Sequence, residues 1–377
     1  MKILIAPDKF KGSMSAQQVC VAIGNGLKKN DSSLDLIYHP MADGGDGSLE
    51  ILSSHLSLNK NDIKTIDPIG KKISTHYFTS TDTAFIEVAS ASGLVLLSKD
   101  ERNPLLTSTI GTGKMIADAI LKGYQNIYLF LGGSATNDAG MGILTELGFH
   151  FLDKPQKKLL PIGENLSNVK FILHSPIFDL EKIKFTLLCD VNNPMFGKLG
   201  AAQVYALQKG ATKNQIQLLD EGLKNFSTVL KKQTGIDPSQ IPGSGAAGGI
   251  GGGLVSLLNA KLENGFEAIS QLTNLEKQIE SADWVISGEG RLDEQSLQGK
   301  VVNGIAKLCI KHQKPFSLFV GKNELSKKHL ESFHVKHIFS ILKNAKNIDD
   351  AISNGGFYLE KLSNQFYQKI KSHKSKF

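Results

Sequence analysis

Lys2 to Ala6 is a short apolar run followed at once by polar residues, the signature of a buried strand. Ser15, with Gln18 three residues later, spells a capping box and opens a helix on which Val19, Ile23 and Leu27 share one stripe. Leu34 to Pro40 reads as a second strand, 41–47 as a loop and Leu49 to Leu56 as a helix, so a strand-loop-helix unit occurs twice. From Ile63 to Val88 the pattern changes to two or three short β-rich runs, separated by Asp67-Pro68, by Gly70 and by Thr79 to Asp82. A helix begins near Gly111. Ile127 to Leu131 is a strand that runs into Gly132-Gly133-Ser134 and then a helix from about Ala139 to Leu147. Phe185 to Val191 is another strand, and helices follow near 200–208, 214–232, 247–258 and 266–281. Simple alternation resumes with a strand Asp283 to Ser287, a loop Gly288 to Gly299, a helix Lys300 to Lys311, and strands Phe316 to Val320 and His337 to Leu342. A last helix carries Leu359, Leu362, Phe366 and Ile370 on one stripe.

Alternating strands and helices predict α/β structure with parallel sheets. The pattern change near 66 and the return to alternation near 284 predict two α/β domains. One is discontinuous, residues 1–66 plus 285–377, and Rossmann-like; the other, 67–284, is inserted between its halves. The length of 377 residues suits two or three domains at roughly 100 to 200 residues each.

Composition narrows the function. No apolar run approaches the roughly 18 residues of a membrane helix, and the N-terminal run is too short for a signal-peptide core, so a cytoplasmic protein with no membrane partner is expected. Cys20, Cys189 and Cys309 are odd in number and far apart, which supports neither a disulfide framework nor a metal knuckle. The net charge of +7 is almost all lysine spread along the chain, gathering weakly at Lys369, Lys371, Lys374 and Lys376 without aromatic interleaving. It reads as a solvated face, and no nucleic-acid partner is expected. Only two of the 43 basic residues are arginine, Arg102 and Arg291, which marks both as positions needing a guanidinium fork.

Glycine is the stronger lead. Five windows, 44–47, 111–113, 132–142, 243–253 and 288–290, hold 18 of the 37 glycines. Each precedes a helix or follows a strand, where backbone N–H groups present positive ends to a phosphate; tight turns are the alternative use. Gly113-Lys114 fails as a P-loop, because Ser108 and Met115 occupy two of its four fixed positions. Gly243 to Gly248 spells GxGxxG but follows Pro242 and a polar stretch, not a strand, so a nicotinamide-dependent oxidoreductase of a small hydroxy acid is only the runner-up. Asp43 and Asp46 flank Gly44-Gly45, Asp138 follows Ser134, Asp190 ends a strand, and Glu289 and Asp293 bracket Arg291. Carboxylates at such ends suit Mg²⁺, and equally they cap the next helix. The ten histidines avoid all five windows, which argues against a His-based triad or a zinc site. Lys9 and Lys11, after the first strand, are candidates to hold a carboxylate or phosphate.

Read in order, these blocks resemble the bacterial class I glycerate kinase family. They are Pro7 to Ser13 (PDKFKGS), Pro40 to Gly47 (PMADGGDG), Glu87 to Leu94 (EVASASGL), Leu131 to Asp138 (LGGSATND), Cys189-Asp190-Val191 with Asn193-Pro194, Gln208 to Ala211 (QKGA), Pro242 to Gly249 (PGSGAAGG) and Gly288 to Asp293 (GEGRLD) with Gly299-Lys300. Lys9 stands where the family leads one to expect Ser, Asp46 where Glu is usual, Ala139 in place of a glycine and Ser296 in place of Thr. The resemblance implies ATP-dependent phosphorylation of D-glycerate, with 2-phosphoglycerate expected over 3-phosphoglycerate, an active site in a cleft between the domains, and a homodimer as one possible assembly. The resemblance marks these blocks without assigning their roles; residue chemistry assigns Gly132, Gly133, Ser134, Gly243, Gly245, Gly248 and Gly249 to nucleotide phosphates, and Asp43 or Asp190 to Mg²⁺. Glycerate falls to Arg291, Lys11, Ser13 and Asp43. Asp190 is expected as the base that takes the hydroxyl proton, with Lys11 and Arg291 sharing the catalytic charge. A non-catalytic sugar-acid sensor is the remaining rival.

Overall fold

The computed structural model describes residues 1–45, 47–297 and 300–371; Asp46, Gly299, Lys374 and Lys376 lie outside the described residues. The chain divides into two compact units, one of residues 1–43, 50–56 and 266–377 and the other of 44–49 and 57–265.

The first unit holds a five-stranded sheet in the order Val335–Ser340, Phe316–Asn323, Trp284–Leu292, Lys2–Ile5, Asp35–Tyr38. All four pairings are parallel. The strand Lys2–Ile5 is apolar on both faces because the sheet is covered on both. Ile3 and Ile5 join Trp284, Ile286, Phe319 and Phe339 in one core, filled by Val19, Ile23 and Leu27 of the helix Ala16–Asn30 and by Leu359, Leu362, Phe366 and Ile370 of the helix Gly355–Ile370. Both helical stripes predicted from 3.6-residue spacing are therefore core, and the capping box at Ser15 and Gln18 is present. From Lys2–Ile5 the chain moves outward to Asp35–Tyr38, then returns on the other side to Trp284–Leu292 and moves outward the opposite way. The strand order thus reverses between Lys2–Ile5 and Trp284–Leu292, and in open α/β sheets ligands bind beyond the carboxyl ends at such a point.

In the second unit a six-stranded sheet runs Lys261–Asn264, Lys184–Cys189, Asn126–Phe130, Thr83–Glu87, Lys72–Ser80, Asn59–Ile66. The first four are mutually parallel; the last two pair antiparallel and overlap the short β-rich runs expected between Ile63 and Val88. Four loops therefore leave one edge, after Glu87, Phe130, Cys189 and Asn264. A separate antiparallel pair, Phe149–Leu152 with Phe171–His174, is absent from the pattern reading, because four-residue strands bounded by Gly and Pro carry too few alternations to register.

Three local expectations are corrected. The strand at 284 does not stop at Ser287 but continues to Leu292, pairing Arg291 with Lys322, so the window Gly288–Gly290 is strand and not loop. A side chain at Gly288 would strike the carbonyl oxygen of Phe319; glycine here marks close approach of two backbones, not the end of a strand. The helix expected over 266–281 is two, Gly265–Leu272 and Leu275–Ser281, parted at Asn274 with φ 55°. Short helices Lys327–Ser332 and Ile348–Ser353 were not anticipated, since each is barely more than one turn. No helix among the described residues is long and apolar enough to cross a membrane, and all three cysteines are free.

Within the first unit two histidines are buried as a pair. The rings of His39 and His55 lie 4.1 Å apart. Thr273 Oγ1 donates to Ile269 O (2.8 Å), so it accepts from His39 Nε2–H at 3.0 Å, and His55 Nε2–H donates to Pro40 O at 2.8 Å. Burial, reinforced by the neighbouring ring, lowers His39 to about 3, and burial lowers His55 as well. Both are neutral in the fold, whereas the unfolded chain protonates them as pH falls below the ordinary value of 6.5. The unfolded state then binds more protons, so this contribution to stability is lost as pH falls. At pH 5.5 the loss at His39 is about 1.4 kcal/mol. Measured by urea denaturation from pH 7 to 5, the stability of the unaltered chain relative to His39→Gln should therefore decline, whatever the other groups contribute; a difference independent of pH would refute the assignment.

Candidate functional site

The first unit gathers carboxylates where its strand order reverses. Asp8 follows the strand Lys2–Ile5, and its N–H donates to Gly288 O (2.8 Å); Met41 N–H donates to Pro7 O (2.9 Å). These bonds lock the loops after the two amino-terminal strands to each other and to the strand Trp284–Leu292, which brings Asp8, Asp43 and Glu289 into mutual electrostatic reach. Burial, then the charge of Asp43, pushes Asp8 up to about 8, although its Oδ1 accepts from Lys9 N–H at 2.6 Å. Burial likewise pushes Glu289 up to about 7 against a Ser296 hydrogen bond and the Lys300 charge. Glu289 Oε1 is buried with no hydrogen-bond partner among the described residues. Three acids this close, two of them reluctant to ionise, form a site that favours a cation. They are not arranged as a ready cage: no cluster of three or more His, Cys, Asp or Glu among the described residues is set to hold a metal.

The other residues expected here have mixed fates. Lys11 is exposed, and its backbone packs on Gly290. Ser13 donates its hydroxyl to Ile352 O at 2.6 Å, which ties the loop to the helix Ile348–Ser353. Arg291 is expected as an open fork for a planar anion, but both its Nε (2.9 Å) and Nη2 (2.6 Å) donate to Glu324 Oε2, with Asp293 at 3.5 Å, on an exposed side chain. The reason is the extended strand, which sets Arg291 in register beside Lys322 and close to Glu324.

The second unit carries a different constellation at the carboxyl edge of its sheet. After the strand Asn126–Phe130, Leu131 N–H donates to Leu188 O (3.0 Å), and the turn Gly132-Gly133-Ser134 is clamped from its neighbour by Leu94 N–H to Gly133 O and Ala135 N–H to Ser92 O, both 2.8 Å. The Glu87 to Leu94 block is thus the brace of the turn. Gly133 is exposed with φ 71°, and no backbone carbonyl among the described residues accepts from the N–H groups of Gly132, Gly133 or Ser134. N–H groups left without a backbone acceptor in a turn of this kind suit an anion.

Behind the turn Asp138 is fully buried and accepts from Thr109 N (2.8 Å), Thr109 Oγ1 (2.7 Å), Gly140 N (3.2 Å) and Gly142 N (3.2 Å). It ties the start of the helix Met141–Glu146 to that of Ile110–Leu121, so the capping use of this acid is the one realised. Lys209, 4% exposed, donates to Ser134 Oγ (2.8 Å) and Thr136 O (2.7 Å). Burial lowers its ammonium group to about 7 against the attraction of Asp138. No expectation attaches to Lys209 from the sequence, where the one available signal was the Gln208 to Ala211 block.

The tract at Gly243, Gly245, Gly248 and Gly249 is buried, following the short turn Pro238–Gln240 and not a strand. Its backbone bonds to both chemical loops, Gly245 N–H to Asn193 O (3.0 Å) and Ala139 N–H to Gly248 O (3.1 Å). At Gly248, with φ 73°, any side chain would strike Thr136 O. The tract is the support on which the turn and the Asp190 loop rest. Asp190, half-buried just beyond the strand Lys184–Cys189, raises Tyr205 and Cys189 by its charge after burial, and Tyr205 OH donates to Asn193 Oδ1 at 2.6 Å. Asp43 and Asp190 thus stand in different units and in different company.

Residues 3–371 match a model of the Glycerate kinase family. The chain is 38% identical to the Glycerate kinase of Halalkalibacterium halodurans over 95% of each chain, and 36% identical to the Glycerate 2-kinase of Escherichia coli over 93% of each. Its fold is similar to the crystal structure of a putative glycerate kinase 2 from Salmonella typhimurium LT2, with a TM-score of 0.86 at 32% identity, covering 100% of this chain and 99% of that one.

The carboxylate cluster carries a stability consequence. Asp8 keeps a proton in the fold that the unfolded chain releases near 3.8, so its contribution to stability is lost as pH rises toward 8. Asp8→Asn, which preserves the acceptor for Lys9 N–H, should match the parent near pH 4 and exceed it at pH 8 by several kcal/mol in urea denaturation. Equal stability at both pH values would show that the three acids do not burden one another.

Proposed function

The chain belongs to the glycerate kinase family, and from that premise we propose that it transfers the γ-phosphoryl group of ATP to D-glycerate, releasing 2-phosphoglycerate and ADP. The Escherichia coli relative bears the name Glycerate 2-kinase, which favours the 2-product over the 3-product. The observation that carries the nucleotide half of this reading is the Gly132-Gly133-Ser134 turn, with its uncommitted N–H groups and a lysine behind it. Gly243, Gly245, Gly248 and Gly249 contribute by fixing the floor of that turn. A cytoplasmic enzyme is in keeping with three free cysteines.

Phosphoryl transfer asks for positioning and charge neutralisation. Mg²⁺ takes hard oxygen donors, and one or two carboxylates suffice when phosphate oxygens and water complete its shell. Asp43 is a better fit than Asp190, because it stands in electrostatic reach of Asp8 and Glu289, which burial first and neighbouring acid charge second hold toward their protonated forms, and a cation there would offset that acid charge. When bound it would neutralise negative charge on the nucleotide phosphates. Asp190 is then left as the base, accepting the proton of the attacking hydroxyl. Lys11, Ser13 and Arg291 are the glycerate contacts of this reading, Lys11 and Arg291 supplying positive charge. The Arg291–Glu324 pair is exposed, and solvent screens such pairs, so a substrate carboxylate can exchange for Glu324 at little cost.

An assay of ADP release with D-glycerate, followed by NMR of the product, tests the reaction and its regiochemistry. Asp190→Asn should lower kcat at least roughly 10²-fold with the fold retained; near-normal turnover would remove Asp190 as the base. Arg291→Lys should raise the glycerate KM several-fold and leave the ATP KM unchanged, whereas an unaltered glycerate KM would assign Arg291 to its bond with Glu324.

A further inference from the structure

Lys209 is the buried charge that the mechanism above leaves unused. It ends the single turn Leu207–Lys209, which follows the helix Ala201–Tyr205 and is closed by Gly210 at φ 94° against the carbonyl of Arg102. That geometry turns the side chain inward, and lysine is almost never this buried without a partner of opposite charge. Both of its hydrogen-bond acceptors, Ser134 Oγ and Thr136 O, are neutral. The carboxylate whose charge it feels, Asp138, already accepts four hydrogen bonds from elsewhere. Arg102 is the charged residue of the other segment packed here, and its Nε is itself buried without a partner among the described residues.

A neutral donor could tie Ser134 to Thr136 without the burial penalty of an ammonium group, which is several kcal/mol. The charge therefore needs a beneficiary, and the turn supplies one. Because Ser134 Oγ accepts from Lys209, the hydroxyl proton is directed away from the lysine and is free to be donated. Ser134 is also the last of the three turn residues whose N–H groups meet no backbone acceptor among the described residues. In the same loop Thr136 Oγ1 and both side-chain atoms of Asn137, in residues fully buried, lack hydrogen-bond partners among the described residues. Buried polar groups left unsatisfied are costly and mark loops whose partners arrive from outside the chain.

We propose that Lys209 is the positioning residue of a phosphate site at Gly132-Gly133-Ser134, holding Ser134 as a donor to a nucleotide phosphate and taking up a proton when that anion binds. The proposal rests on the nucleotide reading of the turn. With the ammonium group lowered to about 7 by burial, Lys209 is largely neutral at pH 8 and charged at pH 6, and an incoming anion favours the charged form. Phosphate binding is thereby linked to protonation, and affinity declines as pH rises past 7.

Calorimetry of the full chain with ADP at pH 8, in HEPES and in Tris, reads the proton count directly from the difference in heat. Uptake of between about half a proton and one proton at pH 8, vanishing at pH 6, is the expected result for the unaltered chain. Lys209→Met should abolish the uptake and weaken ADP about 10-fold or more, Ser134→Ala should weaken ADP without removing Lys209, and Lys209→Arg should restore affinity with a flat pH profile. ADP binding with no proton uptake, or with uptake unchanged in folded Lys209→Met, overturns the role of Lys209 and leaves the nucleotide site standing. No ADP binding by the unaltered chain overturns the nucleotide reading itself. The proton count of the unaltered chain decides the matter even if the methionine variant fails to fold.

Discussion

The second unit depends on one buried carboxylate. Asp138 is fully buried, and its oxygens accept hydrogen bonds from Thr109, Gly140 and Gly142. Those donors sit at the starts of two helices, and satisfying them fixes the path of the chain from Leu131 to Met141. The turn at Gly132-Gly133-Ser134 is held by bonds of Ser92 and Leu94 and by Lys209, while its N–H groups meet no backbone acceptor among the described residues. Burial also raises Asp138 above the ordinary carboxylate range, so the same arrangement that orders the loop makes it sensitive to loss of any one donor.

The first unit places opposite chemistry at the equivalent position of its own sheet. Where strand order reverses, the chain sets Asp8, Asp43 and Glu289 near one another and accepts their repulsion. Such crowding lowers stability at neutral pH, and groups kept in a costly state are characteristic of functional sites. One unit thus presents N–H groups and a reluctant lysine, suited to anions, and the other presents reluctant acids, suited to cations.

Glycine explains much of what was legible and much of what was not. The windows at 132–142 and 243–253 were visible as compositional anomalies, yet composition does not distinguish a backbone that meets a ligand from one that meets another backbone. Gly133 is exposed and leaves the first use open. Gly248, pressed on Thr136, and Gly288, pressed on Phe319, belong to the second. The same ambiguity ended the strand at Ser287 on paper when pairing carries it to Leu292. Arginine scarcity drew attention to Arg291, but its present bond to Glu324 follows from strand register, a long-range property. Lys209 was hidden for the converse reason: one lysine among many has no mark of burial until the helices around it are packed.

What the sequence by itself determined was periodic or local. The stripes of the helices Ala16–Asn30 and Gly355–Ile370, the capping box at Ser15, the α/β alternation and the ordered blocks of the glycerate kinase family all depend on residues a few positions apart. Tertiary structure decided which groups share a site. Asp8 comes into electrostatic reach of Glu289 from near the other end of the chain, and Lys209 bonds Ser134 across a separation of 75 positions, because parallel strands and the turns between them return distant segments to one edge. Protonation followed from the same cause, since a carboxylate or an ammonium group departs from its ordinary behaviour only when packing removes water and chooses its neighbours.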